Sequence, residues 1–172
     1  MKTRLSIILL LILLIQTFFI FPASSDLVPR SFFVDTTNGE PHSIIVVGKN
    51  AASMDSISGG LIISKIQAEA YYEDPSKGLF RVNIWDPQKL ITNDEALLES
   101  VAKNNNLILI GGPVANRLVA GLVQRGQSKV DWYTSQGEIE YIPHGLYGRD
   151  VIIVAGADRE KTRDAVIKLI SS

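Results

Sequence analysis

The 172-residue chain has no cysteine, only two histidines and no Asn-x-Ser/Thr sequon. Without cysteine there is neither a disulfide nor a site for a lipid-modified thiol, so a hydrophobic core alone must hold the fold. His42 and His144 have no partners at ligand spacing, which removes the donor set of a catalytic zinc, and no D-x-D-x-D-G loop is present for calcium. The phosphate signatures G-x-x-x-x-G-K-[ST] and G-x-G-x-x-G are both missing. So is the nucleophile elbow G-x-S-x-G: Ser53 follows a strand pattern, but its context Asn-Ala-Ala-Ser-Met-Asp suits a helix N-cap better. Spacing alone identifies no pair of carboxylates facing each other across a cleft. With these absences no constellation amounts to a reaction, so no enzyme, cofactor or metal is expected; the lesser alternative is a secreted hydrolase, which would need a buried, perturbed carboxylate or a Ser/His pair at the sheet edge. An excess of basic charge is lacking too. The net charge of −1 becomes −3 once Lys2 and Arg4 are removed with the first 25 residues, so nucleic acid is not an expected partner.

Hydrophobic residues are plentiful, at 46 %. Lys2 and Arg4 precede an uncharged apolar run from Leu5 to Phe21 that closes on Pro22, Ala23, Ser24 and Ser25. Residues 1–25 read as a signal peptide cleaved before Asp26, or as a retained membrane anchor through residues 5–21; either predicts an extracellular, cell-surface location. Residues 26–43 read as a linker, with room for an edge strand at Phe32–Val34, and residues 44–172 as a single domain.

Three aliphatic runs in that domain end in glycine and a small-residue loop, then pass into a helical pattern: IIVVGKNAASMD, LILIGGPVANRL and VIIVAGADREKT. Such units predict an α/β fold, a three-layer sandwich around a mainly parallel sheet, with strands at Ile44–Val47, Leu107–Ile110 and Val151–Val154. A helix is expected from about Met54 to Ala70, its buried stripe formed by Gly59, Ile62, Ile63, Ile66 and Ala70. Close packing on the sheet is the expected compensation for the helix propensity lost at Gly59 and Gly60.

Asp74-Pro75-Ser76-Lys77-Gly78 marks a turn between two short apolar runs. Thr92 and Glu95 have the T-x-x-E form of a capping box, which predicts a helix from about Asn93. A further helix is expected to bury Ala115, Leu118, Val119 and Leu122 and to stop at Gly126. Val130–Tyr133 and Glu138–Ile142 read as strands joined at Ser135-Gln136-Gly137. The last helix, Asp158–Ile170, is expected to carry an Asp164–Lys168 ion pair on its outer face.

A parallel sheet gathers such loops and helix N-termini along one edge, where backbone N–H groups can converge on an anion or a sugar hydroxyl. The candidate ligand-binding residues are therefore Gly48, Asn50 and Ser53 in the first loop, Gly111, Gly112 and Asn116 in the second, and Gly156 and Asp158 in the third. The competing reading is that the glycines serve tight turns while Ser53, Asn116 and Asp158 cap helices. Trp85, Trp132, Tyr133 and Tyr141 offer flat faces for stacking on sugars, or packing groups for the core.

The segments IIVVGKNAASMDSISGGLIISKI, LILIGGPVANRLV, SKVDWYTSQGEIEYIP and VIIVAGADREKTRDAVIKLI, in that order, resemble the archaeal S-layer protein family of methanococci and Thermococcales. The first is similar to that family's N-terminal region and the others to its C-terminal region, which large extra domains separate. Here only Tyr71–Asn106 lies between them. The resemblance implies a short member joining both ends without the large insertion, and no catalytic residues. It implies a non-enzymatic cell-surface module for envelope assembly or attachment, whose partners are envelope or S-layer components or other copies of itself. The alternative is an exported small-ligand domain using the glycine loops to bind an anion or sugar.

Overall fold

A computed structural model describes residues 28–172. The expected export segment and the first two residues of the expected linker lie outside the described residues. In chain order the elements are α1 (Arg30–Phe33), β1 (Ser43–Val47), α2 (Ser53–Glu69), β2 (Tyr71–Asp74), β3 (Gly78–Arg81), a 3-10 turn (Pro87–Leu90), β4 (Ile91–Asn93), α3 (Glu99–Asn104), β5 (Asn106–Ile110), α4 (Arg117–Gln124), β6 (Glu138–Leu146), β7 (Arg149–Ala155) and α5 (Arg159–Ser171).

The fold is mixed α/β, with a mainly parallel five-stranded sheet in the order β4-β1-β5-β7-β6. The three aliphatic runs are its interior: Ile45 pairs in parallel with Ile108, and Ile108 with Ile152. Every residue of β1 and β5 is buried, as is β7 from Val151 to Ala155. Strands covered on both faces have no solvent side to alternate toward, which is why they read as unbroken apolar runs. The crossover from β1 to β4 moves the chain one way along the sheet, and that from β4 to β5 carries it back past β1. β1 and β5 are thus neighbours whose onward connections diverge, the position at which an α/β sheet ordinarily opens a crevice.

Helix α2 buries Gly59, Ile62 and Ile66, with Ala70 buried just past its end. A Cβ at Gly59 would lie 2.5 Å from Ile91 Cδ1, so the glycine lets α2 settle closely on β4, as expected of it. Helix α5 buries Thr162, Ala165, Val166 and Leu169 and packs against α2. Each fully buried Val or Leu contributes about 1.5–3 kcal/mol. Between α2 and β4 the chain makes the separate antiparallel hairpin β2–β3 around the Asp74–Gly78 turn. Asp74 Oδ1 organises that turn, accepting from Ser76 N and Lys77 N.

Four local expectations differ from what is seen. Residues 30–33 form one helical turn after Pro29, and both Phe32 and Phe33 are buried; Val34 makes only an isolated bridge with Pro41. Residues 130–137 are turns and not a strand, because Asp131 Oδ1 accepts from Tyr133 N and its Oδ2 from Thr134 Oγ1, folding the chain back locally. β6 pairs instead with β7, antiparallel, with a register irregularity between Ile142 and Leu146. The helix after β4 begins at Glu99, since Asn93 Oδ1 first spends itself on a turn, accepting from Glu95 N and Ala96 N. Lys168 does not pair with Asp164: its Nζ donates to Gly137 O at 2.6 Å, while Asp164 lies 3.5 Å from Arg163. Among the described residues no helix is long and apolar enough to cross a membrane.

Candidate functional site

The C-terminal edge of the sheet holds all three glycine loops, and they form two different places. At the switch point between β1 and β5 the backbones touch. A Cβ on Gly48 would fall 1.8 Å from Ala115 O, so no side chain fits between the loops. Asn116 is fully buried there, and its amide donates to Val46 O at 3.0 Å and Ile110 O at 3.2 Å, tying β1 to β5. Its Oδ1 accepts from Leu118 N, capping α4.

The anion-attracting groups at this point are already occupied. Asp94, buried directly after β4, accepts from Lys49 N through Oδ1 and from Arg117 N through Oδ2, both at 2.8 Å. The guanidinium of Arg117 donates to Asp94 O. A carboxylate of the chain itself thus takes the place at the N-terminus of α4 that a bound anion would fill.

Between β5 and β7 the edge stays open. Here a cleft of about 200 Å³ is lined by Ala52, Asp55, the Gly111–Ala115 loop, Trp132, Tyr133, the Gly156–Arg159 loop and Thr162. Gly111 holds φ +92°, a left-handed conformation that keeps the loop tight. The third loop is braced from below: Thr162 Oγ1 accepts from Gly156 N and donates to Asp158 O. Asp158 Oδ1 accepts from Lys161 N at 2.8 Å, capping α5.

The remaining polar group is Asp55, in the first turn of α2. It is 4 % exposed, and its Oδ1 has no hydrogen-bond partner. Burial pushes its pKa above the ordinary aspartate value, opposed by a hydrogen bond from the Ala52 backbone. Ser58, one turn further along α2, also has a buried hydroxyl without a partner.

Of the candidate residues, Gly111, Gly112, Gly156 and Asp158 meet at this cleft. Gly48 and Asn116 lie in the closed junction, and Asn50 is exposed in the turn after β1. Ser53 is exposed as the first residue of α2 and does not cap it; the N-cap position belongs to Ala52, with no side-chain bond. Asp94 was not singled out by the sequence pattern, and Asp55 stood out only as one of several scattered acids. Asp94 lies inside the apparent capping box, and Asp55 looks like an ordinary first-turn acid.

The aromatic candidates separate as well. Trp132 is buried, its Nε1 donating to Ser128 Oγ. Trp85 is 88 % exposed, and Tyr133 and Tyr141 are exposed. The Tyr141 hydroxyl donates to Asp150, and burial together with that carboxylate pushes its pKa up to about 12.

Residues 88–172, which run from the 3-10 turn through α5, match the S-layer like family, outer domain. The chain is 49 % identical over 69 residues to an S-layer protein of Methanocaldococcus jannaschii, covering 40 % of this chain and 12 % of that one. It is 41 % identical over 78 residues to an S-layer protein of Methanothermococcus thermolithotrophicus, 45 % of this chain and 13 % of that one. With an S-layer protein of Methanococcus voltae it shares 39 % identity over 69 residues, 40 % of this chain and 12 % of the relative. Each alignment spans only about an eighth of the relative's length. Residues 88–172, just under half of the chain and running from β4 through α5, thus carry the sequence of an archaeal S-layer outer domain.

Proposed function

We propose that the chain is a non-enzymatic surface module of the S-layer type, acting in attachment or assembly at the cell envelope. The observation that carries this reading is the closed switch point. Where an α/β enzyme or receptor of this topology opens its crevice, Asn116 and Asp94 fill it with internal hydrogen bonds. The names of the methanococcal relatives point the same way. An exported location follows from the same reading, with residues 1–25 as signal or anchor and residues 26–43 leading into the domain. The partners are lattice or envelope components, or further copies of the chain, without the large insertion of longer members.

Exposed apolar side chains supply the contact. Trp85 and Leu79, 88 % and 61 % exposed, both stand on the excursion between α2 and β4. Large aromatics left in water are the side chains that most often dominate an interface. Co-sedimentation with purified methanococcal envelopes, with the lattice intact or stripped, tests the reading. Lattice-dependent binding is expected, with Trp85→Ser weakening it about tenfold, equivalent to about 1.4 kcal/mol. Equal recovery in the supernatant with both preparations overturns it.

A further inference from the structure

Asp55 has no part in the surface-module reading, yet it is the one carboxylate of the open cleft that is buried. Leaving a charged oxygen buried without a partner costs several kcal/mol, so such a group awaits a proton or a counter-charge. The chemistry around it decides what could supply that charge. An anion is disfavoured by Asp55 itself, and the N-termini of α4 and α5 already hold the carboxylates of Asp94 and Asp158. Calcium takes about six to eight oxygen ligands, whereas no group of three His, Asp or Glu side chains suited to a metal occurs among the described residues. A neutral hydroxyl could satisfy Oδ1 but would leave the charge in place.

A primary ammonium supplies both donors and charge. Its alkyl stem would meet Ala52, Pro113, Val114 and Ala157, which line the same cleft. The aromatic side chains of Trp132 and Tyr133 add a surface that attracts cations. Arg159 is also at the rim, but its Nε lies 3.0 Å from Glu160, which offsets its charge. The volume matches about six water molecules, room for a short alkylamine and little more.

We propose that the cleft between the loops after β5 and β7 binds a primary alkylammonium group, with Asp55 as its counter-ion and Tyr133 on its wall. The group comes either from a free amine or from a lysine side chain of a second copy of this chain.

The test is an amide NMR titration of the full chain, kept in a non-ionic detergent, with n-butylammonium chloride against sodium chloride and n-butanol. Saturable shifts at Gly111, Gly112 and Gly156 are expected with the ammonium salt alone. Affinity should fall at least about tenfold in Asp55→Asn, and about threefold in Tyr133→Ala, whose side chain is too exposed to matter for folding. The proposal is overturned if the ammonium salt produces no saturable shift, if n-butanol shifts the same amides equally, or if Asp55→Asn binds as tightly as the parent. Sedimentation velocity separates the two sources. Self-association that n-butylammonium reverses and Asp55→Asn abolishes assigns the amine to a second copy; a monomer at every concentration, with the shifts intact, assigns it to a free amine.

Discussion

The two gaps between loops on the sheet edge differ although similar sequence builds them. The junction of the β1 and β5 loops is closed by Gly48 against Ala115, by Asn116 and by Asp94. A few residues away, the β5 and β7 loops leave a cleft lined by a buried carboxylate, one of whose oxygens has no partner. A glycine loop after a buried strand therefore creates only the opportunity for a site. Whether the opportunity is filled depends on side chains delivered from other elements, Asp94 from the end of β4 and Asp55 from α2.

Substitutions can break or sharpen this contrast, beginning with the closed side. Gly48→Ala forces a methyl group into the Ala115 carbonyl, backbone against backbone, and is expected to cost more than about 3 kcal/mol in urea unfolding. Asp94→Ala removes the acceptor for Lys49 N and Arg117 N together and should cost about 3 kcal/mol. It should also raise amide exchange at both loops while leaving β7 protected.

On the open side the sign reverses. Asp55→Asn removes a buried charge and should stabilise the protein by about 1 kcal/mol at neutral pH in the absence of any amine. Because the folded protein holds the Asp55 proton more tightly than the unfolded chain does, this carboxyl makes stability fall as pH rises from 3.8 through its raised folded value. The difference between parent and variant should therefore grow over that interval and level off above it. Chemical denaturation of both proteins between pH 4 and pH 8 checks this. If the difference is flat or opposite in sign, Asp55 is not the uncompensated group described here.

The smallest effect is expected at Gly112. A Cβ there meets nothing nearer than 3.8 Å, so Gly112→Ala should stay within about 0.5 kcal/mol in thermal unfolding. Of two adjacent glycines in one loop, only Gly111 has a backbone conformation that requires glycine.

The three buried strands and the caps at Asn116 and Asp158 were readable because their signals are local: an aliphatic run, a glycine, and a side chain reaching two or three residues along its own helix. Val130–Tyr133 misled for a local reason as well. Alternating apolar residues suggest a strand, but the Asp131 side chain captures the following backbone groups before a ladder can form. The filling of the switch point was not legible, because it depends on Asp94 lying 45 residues from Lys49 and 23 from Arg117 in sequence. The same holds for Asp55, whose isolation arises from how α2 lies over the sheet edge, and for Lys168, whose partner is a carbonyl in a distant turn.

The sheet's two outer strands bear on how copies of this chain can meet. β4 is three residues long. β6 carries Pro143, which has no N–H to donate, beside its register irregularity and His144, whose backbone is left-handed. Neither margin of this sheet offers a long regular row of free backbone groups, which disfavours extending it strand by strand into fibres. At these two margins, any contact between copies would fall to surface side chains, where separate patches can point in different directions.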